Sequence, residues 1–447
     1  MGTKNWLAAG AAAASIAFLV APGSAFAQTA NPQDMEARIR AMEAELAAMR
    51  AELETLRGME TETRDDVIRL RESPPVVAPQ GPTPPTDGFR VGQTTFRISG
   101  FIKADALLTD YSAGDAPAGT AREFYLPGSI PVGGVSEDDP SLDFHAKQTR
   151  LALTATRAVD GHTLSGYLEG DFQVAPGTQG SEVATNGYNF ALRRAYITYD
   201  NWSFGQDWST FQNVAVLPET TDFIGPSEGT VFVRQPMVRY THRLGEHANL
   251  QFALENPETN LVTLGAVDDD GLPDLIARYN YANGSNQFSI AAIARQLNVE
   301  SGAVNEDATG WGLSVSGKVG LGASTDLRGM VTHGEGIGRY VGLGFAADGA
   351  VVANELETSE VTAGFVSLRH AWTPRLRSSF TYSMIDVGYD VLLPTQSEGA
   401  WSGAANLFFE PTAGLALGME YRHAERELFN GQSGEIDRLH FIAKQSF

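Results

Sequence analysis

The chain contains no cysteine in 447 residues, and its one long apolar run lies near the N-terminus. The absence of cysteine excludes disulfides, metal–thiolate sites and cysteine catalysis. Residues 7–21 are almost wholly small or apolar, follow Lys4 and precede the small-x-small sequence Ala25-Phe26-Ala27. This pattern predicts a signal peptide over residues 1–27. Because no later run has the length of a transmembrane helix, the exported chain is either soluble or a membrane-spanning β-barrel.

Basic residues and enzyme motifs are also scarce. The chain has 32 Lys and Arg but 54 Asp and Glu, so its net charge is −22. This negative charge disfavours nucleic acid as a partner. The eight histidines show no H-E-x-x-H spacing, and there is no G-x-S-x-G sequence. We therefore expect no enzyme activity, no catalytic residue, no cofactor and no metal. The acidic run Asp268-Asp269-Asp270 is interpreted as a solvated loop tip rather than a calcium site.

A heptad repeat occupies residues 28–72. Its apolar positions follow a 4-3-4-3 spacing and are Met35, Ile39, Met42, Leu46, Met49, Leu53 and Leu56. With Ile39 at position a, the g residues and the e residues of a neighbouring chain are opposite in charge, which is typical of a parallel coiled coil. We predict a self-associating coiled coil; the alternative is a single amphipathic helix packed on its own domain. The mixed seam does not fix the number of chains.

A proline-rich segment follows the heptads. Residues 73–88 hold six prolines and are predicted to form a semi-extended linker. This linker separates the predicted coiled coil from the domain at residues 89–447.

Residues 89–447 show repeated alternation of apolar and polar side chains, which predicts an all-β transmembrane barrel of about sixteen antiparallel strands. The last strand places Leu439 and Phe441 on one face and Arg438 and His440 on the other, and the chain ends at Phe447, which is typical of a closing barrel strand. The predicted strands lie near 94–109, 146–158, 162–173, 190–200, 201–208, 235–244, 249–256, 274–282, 286–297, 310–319, 323–333, 359–371, 375–386, 399–410, 413–424 and 435–447.

The connections between these strands alternate in length. Short turns such as Asp160-Gly161 and Thr373-Pro374 alternate with long loops. The long loops cover about 110–145, 174–189, 209–234, 257–273, 298–309, 334–358, 387–398 and 425–434. This arrangement is typical of an outer-membrane barrel of a Gram-negative bacterium, with short turns in the periplasm. Both ends of the domain, and therefore the coiled coil, are predicted to lie in the periplasm.

Strand parity assigns side chains to lipid or to the lumen. The basic residues with inward parity are Arg150, Arg239, Arg278, Arg295, Arg328, Arg369, Arg377, Arg422, Arg438 and Lys444. They predict a basic channel wall that attracts small anions. Alternatively, a single arginine pairs with a lumenal acid such as Glu255, Glu420 or Asp171. Arg193, also assigned to the wall, and Arg194 differ in parity, so one of them is expected at an interface or a strand end.

The loop at about 209–234 is unusually apolar and aromatic for a surface loop, which predicts that it packs inside the barrel and narrows it. The residues assigned to this constriction are Asp207, Trp208, Phe211, Glu219, Asp222, Phe223 and Arg234.

Four segments around this loop carry a family resemblance: Leu192–Tyr196, Gly205–Phe211, Leu217–Phe223 and Arg234–Pro236. They resemble the trimeric outer-membrane porins of the DcaP-like type. The resemblance implies a periplasmic coiled coil before a sixteen-stranded barrel, a homotrimer in outer-membrane lipid, and passive uptake of small anionic solutes, dicarboxylates among them. Asp207 departs from the family, which commonly has an uncharged residue there.

Two functions from different classes follow. The first is a porin in which small anionic solutes diffuse through an arginine-lined channel. The second is an anchor in which the coiled coil binds a cell-wall or periplasmic component and the barrel transports little. Single-channel recording distinguishes them, because an anchor with a filled lumen conducts little current.

Overall fold

The computed structural model describes residues 88–116, 120–135, 140–173, 185–262, 264–267, 270–302 and 304–447. The predicted signal peptide, the coiled coil and all of the linker except Gly88 lie outside these residues.

Sixteen strands of the described residues form one barrel, as predicted. In chain order they are β1 (Thr94–Tyr111), β2 (Arg150–Val159), β3 (His162–Asp171), β4 (Ala191–Tyr199), β5 (Trp202–Trp208), β6 (Arg234–Arg243), β7 (Ala248–Glu255), β8 (Asp274–Asn283), β9 (Asn286–Ser301), β10 (Val304–Gly320), β11 (Thr325–Glu335), β12 (Glu355–Thr373), β13 (Leu376–Tyr389), β14 (Ser397–Thr412), β15 (Leu415–Leu428) and β16 (Ser433–Ser446).

Shorter elements lie outside the barrel strands. They are the strands Phe89–Val91, Ser141–His145, Thr259–Leu261, Gly265–Val267 and Gly349–Val352, the helical turn Thr120–Glu123, and the 3-10 turns Pro127–Ser129, Val214–Val216 and Gly338–Tyr340. No helix within the described ranges is long and apolar enough to cross a membrane.

The barrel is closed by pairing of its first and last strands. β16 pairs antiparallel with β1 from Phe101 opposite Ser446 to Tyr111 opposite Ile436. Beyond that register, the backbone groups of Gly100 and Phe447 exchange two hydrogen bonds of 3.1 Å. Every barrel strand therefore has two neighbours, which satisfies the backbone where lipid offers no hydrogen-bond partner.

Side-chain exposure alternates along the strands, which distinguishes the inside of the barrel from its outside. On β13, Phe380, Tyr382 and Met384 are exposed, whereas Ser379 and Ser383 are buried. Similar alternation on other strands covers the outer face with large apolar side chains. The inner face combines polar side chains with an apolar cluster that includes Ile276, Ile293 and Phe365.

Several strands are longer than predicted. β9 and β10 continue to Ser301 and Val304, where a loop over 298–309 was expected, and only residues 429–432 connect β15 to β16, where 425–434 was expected. The missed portions carry polar residues such as Asn298 and Glu300 on the outer face. Apolar alternation is required only where a strand faces lipid, so it does not mark strand residues that extend beyond the membrane.

The connections define two ends of the barrel. Turns such as residues 160–161, 244–247 and 284–285 form the short-turn end, and the longer connections and extended hairpins form the long-loop end. The short-turn end corresponds to the periplasmic side of bacterial outer-membrane barrels.

Introducing a charge on the outer face tests the assignment of lipid-facing residues. Val315 lies outside on β10, between Trp311 and Val319, and 45 % of it is exposed. We expect Val315→Arg to lower the free energy of unfolding from lipid vesicles by about 2–4 kcal/mol, because a guanidinium then lies in the hydrocarbon region. Urea titration followed by tryptophan fluorescence measures it. Leu392→Arg, at an exposed residue between β13 and β14, is the control and should change stability by less than about 0.5 kcal/mol. If Val315→Arg and Leu392→Arg changed the free energy of unfolding equally, the assignment of Val315 to the lipid-facing surface would be wrong.

Candidate functional site

The connection between β5 and β6, residues 209–233, lies inside the barrel; we call it the lumenal loop. The carbonyl oxygen of Gln212 accepts a hydrogen bond from the guanidinium of Arg278 on β8. The hydroxyl of Thr220 donates to the carboxylate of Glu420 on β15, at 2.7 Å. Because β8 and β15 are seven strands apart among sixteen, these two contacts lie on nearly opposite walls. The loop therefore crosses the lumen.

Glu219 connects the lumenal loop to the wall formed by β12–β14. Its carboxylate accepts hydrogen bonds from Arg377 Nη2 at 2.7 Å and Nε at 2.8 Å, and from Arg369 Nε at 3.4 Å. Its backbone oxygen accepts a hydrogen bond of 2.8 Å from Asn406 Nδ2. Burial alone would raise the pKa of Glu219, but the hydrogen bonds and charges of the two arginines lower it overall. Glu219 is therefore ionised at neutral pH.

Two other connections at the long-loop end pack on the lumenal loop. Val231 forms a β-bridge with Val341, which lies between β11 and β12. Asp222 Oδ1 accepts a hydrogen bond of 2.8 Å from the backbone N–H of Tyr125, which lies between β1 and β2. These contacts stabilise the loop from the long-loop end.

The aromatic residues assigned to the loop from the sequence lie at these packing contacts. Phe211 is 1 % exposed, and its ring meets that of Tyr340 edge to face at 6.0 Å. Trp208 and Phe223 pack against a cluster of Phe124, Ile224 and Phe232. Arg234, at the start of β6, places its guanidinium 5.1 Å from the centre of the Trp208 ring.

Arg193 and Arg194 both contact carboxylates of the inner wall, so the expectation that one lies at an interface or a strand end is wrong. The pairing of β3 with β4 shifts between Glu169 opposite Arg194 and Gly170 opposite Leu192, which leaves Arg193 as an extra, bulged residue. A bulge breaks the two-residue alternation, so neighbouring side chains can share a face. Arg193 Nε lies 3.0 Å from Glu169 Oε1, and Arg194 Nη1 lies 3.6 Å from Glu169 Oε2.

The ten arginines predicted to face the lumen divide into two groups by exposure. Buried ones are Arg193, Arg295, Arg422 and Arg438. Partly exposed ones are Arg150, Arg239, Arg278, Arg328, Arg369 and Arg377.

Most of these arginines are paired with acids. Eight form ion pairs with described carboxylates; Arg278 and Arg438 form none within the described part of the chain. Buried examples include Arg295 with Asp274 at 3.3 Å and with Asp348 at 3.0 Å. Of the acids named from the sequence, Asp171 pairs with Arg150 at 3.2 Å and Glu420 pairs with Arg422 at 3.0 Å. Other acids were missed, although some share inward parity with their partners: Asp326 precedes Arg328 by two residues on β11 and contacts it at 2.5 Å.

A cavity of about 360 Å³ lies between the start of the lumenal loop and the inner faces of β4–β9. Its basic side chains are Arg194, Arg239 and Arg278, and its one carboxylate among the described lining residues is Asp207. Asp207 contacts Arg194 Nε at 2.6 Å and Arg239 Nη1 at 3.1 Å. The charges of these side chains therefore sum to two positive units.

Among the described residues, Arg278 is the cavity arginine without a carboxylate partner. It donates from Nε to the side-chain oxygen of Gln251, at 3.0 Å, and from Nη1 to the backbone of the lumenal loop. Amide side chains were not singled out in the sequence, yet Asn249, Gln251 and Asn280 all line the cavity. The sequence feature that could have identified these amides is their inward parity on β7 and β8. Because they lie close to the turns at 244–247 and 284–285, the cavity lies towards the short-turn end.

The described residues contain no group of three or more His, Cys, Asp or Glu side chains arranged to hold a metal ion.

Solved structures share this architecture. A crystal structure of the outer membrane channel DcaP of Acinetobacter baumannii is 27 % identical, with a TM-score of 0.70 over 81 % of this chain and 100 % of that one. OmpT of Vibrio cholerae is 11 % identical, with a TM-score of 0.53 over 81 % of this chain and 100 % of that one. An anion-selective porin from Comamonas acidovorans is 12 % identical, with a TM-score of 0.51 over 79 % of this chain and 100 % of that one. The last two likenesses show the fold alone.

A comparison with curated proteins finds no significant match. The sequence matches the DcaP outer membrane protein family over residues 81–447, which is most of the chain and includes the whole barrel. The closed barrel of sixteen strands, the loop that crosses its lumen and this match lead to one conclusion: the chain belongs to the DcaP family of outer-membrane channel proteins.

Proposed function

We propose that this protein is a passive channel for small anionic solutes, dicarboxylates among them, and that the lumenal loop narrows its path. The observation that carries the proposal is the cavity beside the loop, where three guanidinium groups face one carboxylate. A narrow passage with low-dielectric walls and excess positive charge concentrates anions and raises their rate of entry.

The partly exposed arginines are proposed to act on the solute, whereas the buried ones stabilise the wall. Arg422, for example, is 3 % exposed and contacts Glu420 at 3.0 Å. Arg278 has water access and lacks a carboxylate partner among the described residues. Its Nη2 donates no hydrogen bond within the described residues and can donate to a carboxylate, so Arg278 is the strongest candidate for direct solute contact.

The distribution of charge in the cavity favours solutes with two carboxylates. Arg278 supplies one positive unit, and Arg194 and Arg239, which share Asp207, supply a second. Two carboxylates of one solute can therefore be neutralised together.

Assembly and orientation are further parts of the proposal. Residues 28–72 are proposed to form a parallel coiled coil in the periplasm, and the protein is proposed to be a homotrimer. The heptad spacing and the complementary charges at g and e support the coil. Membership of the family supports a channel rather than an anchor.

Replacing Arg278 tests anion selectivity. We expect Arg278→Gln to lower the anion-to-cation permeability ratio about fifteenfold. A unit charge ~5 Å from a permeating ion contributes about 0.8 kcal/mol even at the dielectric constant of water, and this contribution is favourable for an anion and unfavourable for a cation. Reversal potentials in a KCl gradient across planar bilayers measure this ratio. Arg375→Gln, at an exposed turn residue of the short-turn end, is the matched control and should leave the ratio near its native value. Cation preference of the native protein would refute the proposal.

Replacing Glu219 tests the anchoring of the lumenal loop. Glu219→Gln removes the ion pairs with Arg377 and Arg369, so we expect a higher single-channel conductance with larger current fluctuations. Glu246→Gln, in an exposed turn, is the control and should conduct like the native protein.

Lowering the pH should change the conductance and current fluctuations of the native protein in the same direction as Glu219→Gln does. Because the folded-state pKa of Glu219 lies below 4.5, its ion pairs are intact at neutral pH and are lost as the pH falls through that lowered value. Fluctuations that rise equally with acid in the native protein and in Glu219→Gln would show that another group is responsible.

Deleting residues 28–72 separates the channel from the anchor. If the barrel is a channel, the shortened protein should keep its single-channel conductance, while its trimers should dissociate more readily when measured by native mass spectrometry. A native protein that conducts little current would instead support the anchor.

A further inference from the structure

Three of the amide side chains that line the cavity lie on β7 and β8, the strands next to and including that of Arg278. Asn249 and Gln251 lie on β7 and Asn280 lies on β8, all with inward parity. Gln251 accepts a hydrogen bond from Arg278 and so helps to position its charge, whereas Asn249 and Asn280 form no hydrogen bond with a described arginine. Their arrangement therefore indicates which anions the cavity holds.

The hydrogen bonds of these amides leave one acceptor and one donor available. Asn280 Nδ2 donates to Asn249 Oδ1 at 3.0 Å and to Gln251 Oε1 at 3.3 Å, and Arg278 Nε also donates to Gln251 Oε1, at 3.0 Å. Within the described residues, Asn280 Oδ1 receives no hydrogen bond and Asn249 Nδ2 donates none. An amide oxygen and an amide N–H are thus free close to Arg278.

A free acceptor beside a free donor matches a hydroxyl group, because a hydroxyl both donates and accepts. A carboxylate only accepts, so it leaves Asn280 Oδ1 without a donor, and a methylene group satisfies neither amide. Leaving a polar group unpaired next to a bound solute costs affinity. The amides therefore favour solutes that carry hydroxyl groups next to the carboxylate.

We propose that the cavity binds hydroxylated carboxylates, with the carboxylate at Arg278 and a hydroxyl between Asn280 and Asn249. This inference rests on the proposed anion channel and specifies the class of solute for the same cavity. The volume of about 360 Å³ is within the range of pockets that hold small molecules, so a six-carbon hydroxy acid can be accommodated.

Two acids of equal chain length test the inference: gluconate, which carries hydroxyls, and hexanoate, which does not. The concentration of each that halves the single-channel chloride current gives its apparent affinity in the native channel. We expect gluconate to act at a ~fivefold lower concentration, the factor that corresponds to one net hydrogen bond of about 1 kcal/mol. Leucine is similar in size to asparagine but forms no hydrogen bond. In Asn280→Leu, gluconate and hexanoate should therefore halve the chloride current at similar concentrations.

Asn249→Leu removes the donor from the neighbouring strand and should also reduce the difference, so the test does not depend on the folding of one variant. Asn201→Leu, at an exposed turn of the short-turn end, is the matched control and should preserve the native ratio. Equal action of gluconate and hexanoate on the native channel, or a ratio that both cavity variants leave unchanged, would overturn the inference. In either case the anion preference in KCl would persist if the proposed function is correct, whereas cation preference would refute that function itself.

Discussion

The backbone of a membrane-spanning sheet must satisfy its own hydrogen bonds, and the rest of this structure depends on that constraint. Pairing of β1 with β16 leaves the barrel without an edge. Once the sheet is closed, strand side chains within the membrane face either lipid or the lumen. Guanidinium groups are costly in lipid, so the strand arginines collect inside, where they need partners. Acids of neighbouring strands and carbonyl groups of the lumenal loop supply these partners.

The lumenal loop is a consequence of the same polar interior. A loop that enters a barrel buries many backbone N–H and C=O groups, and each needs a hydrogen bond. The carbonyl oxygen of Gln212 accepts a hydrogen bond from a side chain of β8. The backbone N–H of Thr221 donates to a side chain of β15, and its carbonyl oxygen accepts from a side chain of β1. Some of the loop's apolar side chains, Phe211 among them, pack in an apolar cluster with other connections and with the barrel wall. Hydrogen bonds to the polar and charged side chains of the wall thus hold the loop across the lumen. The cavity beside β4–β9 has an excess of positive charge.

Strand parity was sufficient to predict the barrel and its strand number. It failed at Arg193 because a bulge breaks the alternation on which parity depends. It also failed beyond the membrane, where Asn298 and Glu300 lie on the outer face of β9 and the apolar Leu297 and Val299 lie on the inner face. The ion pairs of the lumen were predicted only in general terms, since the register of neighbouring strands decides which acid meets which arginine. The amides of the cavity were not recognised, because an isolated Asn or Gln in a strand carries no motif.

We propose that solutes pass through the barrel on the β4–β9 side of the lumenal loop, along a wall whose excess positive charge attracts anions. Since the chain lacks cysteine, a single cysteine can be introduced at Gln251, in the cavity, or at Ser379, a buried inward residue on β13. The most direct measurement is the change in single-channel current when an anionic or a cationic methanethiosulfonate reagent is added. The account predicts that Gln251→Cys loses current and reacts faster with the anionic reagent, while Ser379→Cys changes little. Faster reaction with the cationic reagent, or loss of current at Ser379→Cys alone, would contradict it.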